Sequence, residues 1–268
     1  MKISLIITTY NWPQALDLTL MSLQNQTDTD FEIIIADDGS DDRTKHLIES
    51  WQQKLKQTLQ HVWQEDDGFR AAKIRNKAIE AASGDYLIFL DGDCFVKKNF
   101  VKQHVHLAEK NYFVVGQRIL CSEKFSEELL NKKKLISHPN LYWLKCRCQN
   151  KINRFLPLII FPLGFFRKFF PRKWQGAKTC NLGAWKNDLI CVNGFDESFQ
   201  GWGYEDSDCV IRLIRSGIYR KTARFAAPVF HLWHKFLDRA KEIENKKRLQ
   251  EVLQADYVQA RQGLNKIT

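Results

Sequence analysis

Short apolar runs and helix-spaced apolar stripes alternate through the first 120 residues of the chain. Residues 3–9 form a run rich in β-branched side chains. Asn11, followed by Pro13, reads as the cap of a helix carrying Leu16, Leu20 and Leu23 on one face. Residues 31–36 form a second run, ending in Asp37-Asp38-Gly39-Ser40, a turn that offers Ser40 as the next cap. Leu47, Ile48, Trp51 and Leu55 give another helical stripe, residues 61–64 a short strand, and residues 73–82 a helix closed by Gly84. Residues 86–90 are a further apolar run leading directly into Asp91-Gly92-Asp93. Fully apolar strands separated by amphipathic helices predict an α/β domain whose mostly parallel central sheet is flanked by helices. Such sheets bind ligands beyond the carboxyl ends of their strands. Three polar clusters fall at those ends: residues 8–11, Asp37-Asp38, and residues 91–93.

After Gln117 the pattern breaks. Residues 121–176 read as a basic helical insertion, with Pro139, Pro157, Pro162 and Pro171 and the run Phe165-Phe166-Arg167-Lys168-Phe169-Phe170. Alternation resumes near Lys178. Residues 177–237 carry Asn193-Gly194-Phe195-Asp196-Glu197, Gly201-Trp202-Gly203-Tyr204-Glu205-Asp206 and His231-Leu232-Trp233-His234. Residues 238–268 are strongly charged and predict a C-terminal helix starting at Asp238. There is no internal repeat, and the expected organisation is a single domain over residues 1–268.

Composition narrows the class. In 268 residues, 44% are hydrophobic and 27% charged, enough apolar surface for a large core and too much for disorder. Seven cysteines without a CxxC pair do not suggest a secreted disulfide framework, and buried reduced thiols are expected. The net charge of +10 is local: residues 129–187 hold 13 Lys and Arg and no Asp or Glu. The remainder is mildly acidic, which argues against a nucleic-acid partner. No apolar run reaches the roughly 18 residues of a membrane span. The apolar start reads as a buried first strand rather than a cleaved leader, and the cytosol is the expected compartment.

Four groups of residues can do chemistry. Asp91 and Asp93 flank a glycine in a tight turn and could hold a hard divalent cation, although acidic turn residues commonly just face water. His231 and His234, three apart, could share a metal; taken alone, two half-buried aromatics beside Trp233 is the favoured reading. Glu205, Asp206 and Asp208 open a helix, where carboxylates complement the helix dipole. Beside Trp202 they could equally supply a general base next to a sugar-stacking aromatic. Arg70, Lys73 and Arg75 near a helix start could face phosphate or a nucleobase, or only solvent. Neither GxGxxG nor GxxxxGK[ST] is present.

In this order the motifs resemble those of the inverting family 2 glycosyltransferases of GT-A fold. The segments Ile6-Ile7-Thr8-Thr9-Tyr10-Asn11, residues 35–42, Arg75-Asn76 and Leu90-Asp91-Gly92-Asp93 are similar to that family's nucleotide-sugar half, here residues 1–120. The later Asn193 to Glu197 and Trp202 to Asp206 motifs resemble the acceptor half of β-1,4-galactosyltransferases and chondroitin-polymerase modules, here residues 177–237. The resemblance implies that Thr8, Tyr10 and Asp38 line a uridine pocket, that Arg75 lies near base or diphosphate, and that Asp91 contacts the ribose. It implies Asp93 and His234 as metal ligands, with His231 as a further one, and Mn²⁺ (or Mg²⁺) as the cofactor. Trp202 would stack on the acceptor sugar, Asp206 with neighbouring Glu205 would supply the base, and Asn181 would touch the donor sugar. Tyr204 stands where that pattern usually has glycine.

The implied reaction transfers a hexose or N-acetylhexosamine from a UDP-sugar donor to a hydroxyl of a glycan acceptor of lipopolysaccharide or capsule type, with inversion to a β-linkage. Asp206, at an ordinary carboxylate pKa, would be ionised at pH 7. The competing class is a non-catalytic carbohydrate- or nucleotide-binding module on the same fold. A basic, aromatic insertion suits the anionic inner face of the cell membrane, where a lipid-linked acceptor would be met. Internal packing of Phe165, Phe166, Phe169 and Phe170 is the alternative.

Overall fold

The computed structural model describes residues 1–132, 139–235 and 239–265. The chain runs β1 (Ile3–Thr9), α1 (Pro13–Leu23), β2 (Glu32–Asp37), α2 (Asp42–Gln52), β3 (Leu59–Trp63), α3 (Ala71–Ala81), β4 (Tyr86–Asp91), β5 (Cys94–Val96), α4 (Phe100–Leu107), β6 (Tyr112–Val115) and β7 (Gln117–Leu120). It continues through α5 (Glu123–Lys132), α6 (Asn140–Cys148), 3-10 turns at Leu156–Leu158 and Gly164–Lys168, β8 (Asn181–Trp185) and α7 (Lys186–Cys191). Last come α8 (Glu205–Arg215), β9 (Tyr219–Thr222), β10 (Pro228–His231) and α9 (Glu242–Gln254).

The apolar runs are strands because both of their faces are covered. In β1, Leu5 and Ile7 pack under α1, α2 and α4, while Ile6 packs under α3, α7 and α8. The central sheet has the order β3-β2-β1-β4-β8-β6-β9, and β8 runs antiparallel to both neighbours. The parallel register pairs Thr8 with Ala36 on one side and Asp91 on the other, so the polar strand ends meet at one edge. This is the mixed, mostly parallel α/β architecture expected.

The caps differ from expectation by one residue. Trp12, not Asn11, precedes α1; Asn11 takes a left-handed φ of 44° and accepts from the Asp41 N–H at 2.9 Å, tying the ends of β1 and β2 together. Asp41, not Ser40, caps α2 by accepting from the Arg43 N–H.

A second sheet, β5-β10-β7, had no sequence signal. β10 lies antiparallel to β5 and parallel to β7, with His231 opposite Cys94. The first part of the insertion packs on this sheet: Phe125, Trp143 and Cys146 of α5 and α6 meet Phe95, Ile119 and Phe230. Residues 133–138 within the insertion, and Asp238 as the start of the C-terminal helix, lie outside the described residues. All seven cysteines are free thiols, five of them buried. Among the described residues, no helix is long and apolar enough to cross a membrane.

Candidate active site

The carboxyl ends of β1, β2 and β4 open into a cleft of about 750 Å³, closed on its far side by the start of α8 and the segment after β10. Every expected site residue except Asn181 lines it.

Beside β1 and β4, α3 delivers Arg75 into the interior. Its Nε donates to Thr8 Oγ1 (3.2 Å), its Nη1 to Glu205 Oε1 (2.9 Å), and its Nη2 lies 3.7 Å from Asp91 Oδ1. Burial opposes the charged guanidinium, but Glu205, Asp91 and Asp206 outweigh it and raise its pKa. Arg75 thus stays charged and clamps the first half of the chain to α8. Asp38 accepts from the Arg70 N–H (2.7 Å) and Gln64 Nε2 (2.6 Å), and burial lifts its carboxyl above the usual range despite them. Tyr10, exposed at the rim, donates to Asp66 at 2.8 Å. Burial also pushes the Asp91 carboxyl upward, against the pull of Arg75.

Past the end of β4, Asp93 Oδ2 lies 3.3 Å from His234 Nε2 and 3.5 Å from His231 Nε2. Each ring is fixed by its other nitrogen: Nδ1 of His231 donates to the Leu232 carbonyl and Nδ1 of His234 to the Lys235 carbonyl, both at 2.8 Å. A carbonyl only accepts, so Nδ1 carries a proton on each ring, and in the neutral ring it is Nε2, the atom turned to the carboxylate, that keeps the lone pair. A carboxylate oxygen and two imidazole Nε2 atoms turned to one point fit a divalent cation of intermediate softness. Cys94 is a neighbour that sequence reasoning missed. Its sulfur, Asp93 and His231 have ligand atoms within 4.8 Å of one another. The signal was its adjacency to Asp93; burial holds its thiol pKa well above the ordinary value, so it is neutral.

In the loop before α8, Gly201, Gly203 and Tyr204 all have positive φ (74°, 105° and 75°), and the turn presents half-buried Trp202. Tyr204 therefore holds a left-handed conformation that glycine adopts without strain, which is why glycine suits this position in the similar pattern. The Arg239 guanidinium lies 4.3 Å from the centre of the Trp202 ring. Asp206, half-buried in the first turn of α8, is pushed up from 3.8 to about 6, first by burial and then by Glu205, while Lys178 and Arg75 pull the other way. Its pKa is thus not the ordinary one expected. Lys178 and Arg118 also line the cleft; neither carries a sequence signal, because a single cation outside any motif forms no pattern.

Asn181 is the exception. It sits on β8 beneath the sheet, where its Oδ1 accepts from His104 Nε2 (3.0 Å) and its Nδ2 donates to the Ala227 (2.7 Å) and Gln117 (3.2 Å) carbonyls. A Cβ on Gly116 would come within 2.1 Å of this amide, so Gly116 is required to make room for it. These bonds engage the amide that the resemblance would turn toward the donor sugar. Asn181→Ala should lower stability by about 2 kcal/mol, the cost of orphaned buried partners, while the folded protein keeps its donor KM. Thermal denaturation and steady-state kinetics would check both; a raised KM at unchanged stability would reverse the assignment.

Comparison with known proteins gives concordant matches. Residues 4–172 match the model of glycosyl transferase family 2, and residues 165–235 a model described as the N-terminal domain of galactosyltransferase. Validoxylamine A glucosyltransferase of Streptomyces hygroscopicus subsp. jinggangensis is 31% identical over 83% of this chain, and chondroitin synthase of Escherichia coli 28% over 84%. The chain spans 53% of the first relative's length and 34% of the second's. Among solved structures, S. aureus TarS in complex with UDP superposes with a TM-score of 0.63 at 16% identity, over 96% of this chain and 66% of that one. Mannosyltransferase PcManGT from Pyrobaculum calidifontis, in complex with GDP-Man and Mn²⁺, gives 0.56 at 17% identity, over 94% and 62%. Both share the GT-A fold.

Proposed function

Because the chain belongs to glycosyl transferase family 2, a family of sugar-transferring enzymes, we propose that it is a metal-dependent, inverting glycosyltransferase. In this reading it moves a hexose or N-acetylhexosamine from a UDP-sugar to a hydroxyl of a glycan acceptor. The carrying observation is the convergence of Asp93, His231 and His234 at one end of the same cleft that holds Asp206. The TarS complexes with UDP and UDP-GlcNAc favour a uridine donor. The chondroitin and hyaluronan synthase relatives favour a saccharide acceptor.

The roles follow from charge. Asp38, Thr8 and Tyr10 bind the nucleoside; Arg75 holds Thr8, Asp91 and Glu205 in place. Asp93, His234 and His231 would hold Mn²⁺ or Mg²⁺, which supplies positive charge to the departing diphosphate when bound. Trp202 offers an apolar face to the acceptor ring once Arg239 yields it. Asp206 accepts the proton of the attacking hydroxyl, and Glu205, engaged by Arg75, sets its pKa and orientation. Attack on the face opposite the diphosphate inverts an α-linked donor to a β-linked product. The acceptor is proposed to be lipid-linked, of lipopolysaccharide or capsule type, and met at the anionic inner surface of the cell membrane.

The test is UDP release from candidate UDP-sugars with Mn²⁺ and saccharide acceptors. Release that needs both metal and acceptor supports transfer. Tight binding without turnover would assign the chain to a non-catalytic binding module instead. Separately, Asp93→Ala should weaken Mn²⁺ binding, measured by titration calorimetry, by more than about 10²-fold. Unchanged Mn²⁺ affinity would remove the metal from this end of the cleft.

A further inference from the structure

A second cleft, of about 390 Å³, is lined by Arg147, Arg154 and Arg224 together with Phe155 and Phe225, and no acidic residue borders it. Among the described residues none of the three guanidinia is ion-paired: Arg147 donates to Asn150 and Arg224 stacks on Phe225, whereas nearby Lys151 and Lys168 are neutralised by Glu128 and Glu109. Planar guanidinium forks converging on a concave, acid-free surface fit a phosphate group.

Beside the cleft stands an apolar ridge. Phe165, Phe169 and Phe170 are 67%, 58% and 68% exposed, and Phe161 is 56% exposed. Phe165, Phe166 and Phe169 pack on one another, with Phe165 and Phe166 stacked at 4.1 Å. The internal packing weighed from sequence is therefore absent for this run. Arg167, counted among the insertion's cations, is buried and donates to the carbonyls of Phe161, Thr222 and Arg224. The Phe161 N–H in turn donates to the Phe225 carbonyl at 2.9 Å. Ridge and arginine cleft are thus laced together through shared backbone groups.

We infer that this face docks on an anionic lipid bilayer, seating a headgroup phosphate among Arg147, Arg154 and Arg224 and burying the phenylalanine ridge beside it. The charge selects the occupant: a segment with 13 basic and no acidic residues complements a negative surface, and exposed aromatics flanked by cations suit the headgroup–acyl boundary. The inference deepens the membrane contact proposed above and rests on it. β7 borders both clefts, giving Gln117 to this one and Arg118 and Leu120 to the large one, so a lipid-anchored acceptor would enter beside the catalytic groups.

The experiment is co-sedimentation of the full chain with vesicles of phosphatidylcholine alone or mixed with phosphatidylglycerol. Binding to the mixed vesicles, weakened by salt, is expected. Replacing all three arginines (R147Q, R154Q, R224Q) should weaken it on the order of 10²-fold, at roughly fivefold for each cation. A second variant, F165S with F169S and F170S, should abolish it. Equal binding to both vesicle types, or no loss in the arginine variant with an unchanged circular dichroism spectrum, overturns the inference. So does inorganic phosphate that raises the Tm of the parent but not of the arginine variant, if vesicles are not bound: the cleft then serves free phosphate. Ridge-dependent dimerisation in sedimentation velocity without vesicle binding likewise assigns the face to a second copy. UDP binding without vesicles should be the same in every variant, so loss of the membrane contact and failure of the transferase reading give different results.

Discussion

Asp206→Asn is expected to lower kcat by about 10² to 10⁴ while leaving the donor KM nearly unchanged, the signature of a lost general base. The substitution keeps size and hydrogen-bonding capacity and removes only the ability to take a proton. The parent enzyme should lose kcat as pH falls through about 6, because burial and the adjacent Glu205 raise the Asp206 pKa to that value and the base must be ionised. Above pH 7 the rate should level off, and the residual rate of the variant should lack this limb. Stability should move the opposite way. A carboxyl whose folded pKa lies above its unfolded value of 3.8 penalises folding once pH exceeds both values, and the penalty disappears below the unfolded one. Asp206→Asn should therefore stabilise the protein at pH 7.5, by at most about 3 kcal/mol, and by nothing near pH 3. A variant with parental kcat would remove Asp206 from the chemistry; a Tm gain that persists at low pH would remove burial of the charge as the cause.

Arg212→Met is expected to cost about 3–5 kcal/mol of stability, since breaking a buried ion pair strands the remaining charge. Arg212 and Asp208 are both fully buried on α8, joined at 2.6 Å (Nη2) and 3.0 Å (Nε), and Arg212 also donates to the Val192 carbonyl. Both bonds fall on Asp208 Oδ2, Oδ1 has no hydrogen-bond partner among the described residues, and burial already lifts the Asp208 pKa despite the arginine. The methionine fills the volume but leaves the buried carboxylate unpaired, while the Val192 carbonyl keeps only its bond from the Ala260 N–H. The double variant Arg212→Met with Asp208→Leu should recover most of the loss in urea denaturation. A single variant within about 1 kcal/mol of the parent would mean the pair contributes no more than a surface bridge. The pair matters for function because it locks α8, whose first turn carries Glu205 and Asp206, to the end of α7.

Several features were legible in the residues. Strands β1, β2 and β4 were recognisable because their runs are apolar on both faces, and each ends where a polar cluster begins. Position after those runs is enough to place Thr8, Asp38, Asp91 and Asp93 on one edge of the sheet. β5 and β10 were not legible: three or four residues hold no detectable period, yet their pairing sets His231 opposite Cys94 and beside Asp93. The two histidines alone favoured a half-buried aromatic pair, and it is the backbone carbonyls of Leu232 and Lys235 that turn their Nε2 atoms to Asp93. The caps of α1 and α2 were each off by one residue, because Asn11 and Ser40 bond to each other's loops rather than to the helices they precede. The placement of Asn181 was not legible for a related reason: a polar residue at a strand start reads alike whether it faces a ligand or three partners within the fold.

By itself the sequence determined the layered α/β plan, the strand-end location of the cleft and the segment that holds the excess charge, since hydrophobic period and composition are local quantities. Tertiary structure decided the rest: the Arg75–Glu205 clamp, the upward shift at Asp206, the inward turn of Asn181 and the outward display of the phenylalanine ridge. Each of those depends on which groups remote in the chain approach within a few ångströms and on how much water they leave behind. Distance and dielectric, which govern charge and burial, exist only once the chain has closed on itself.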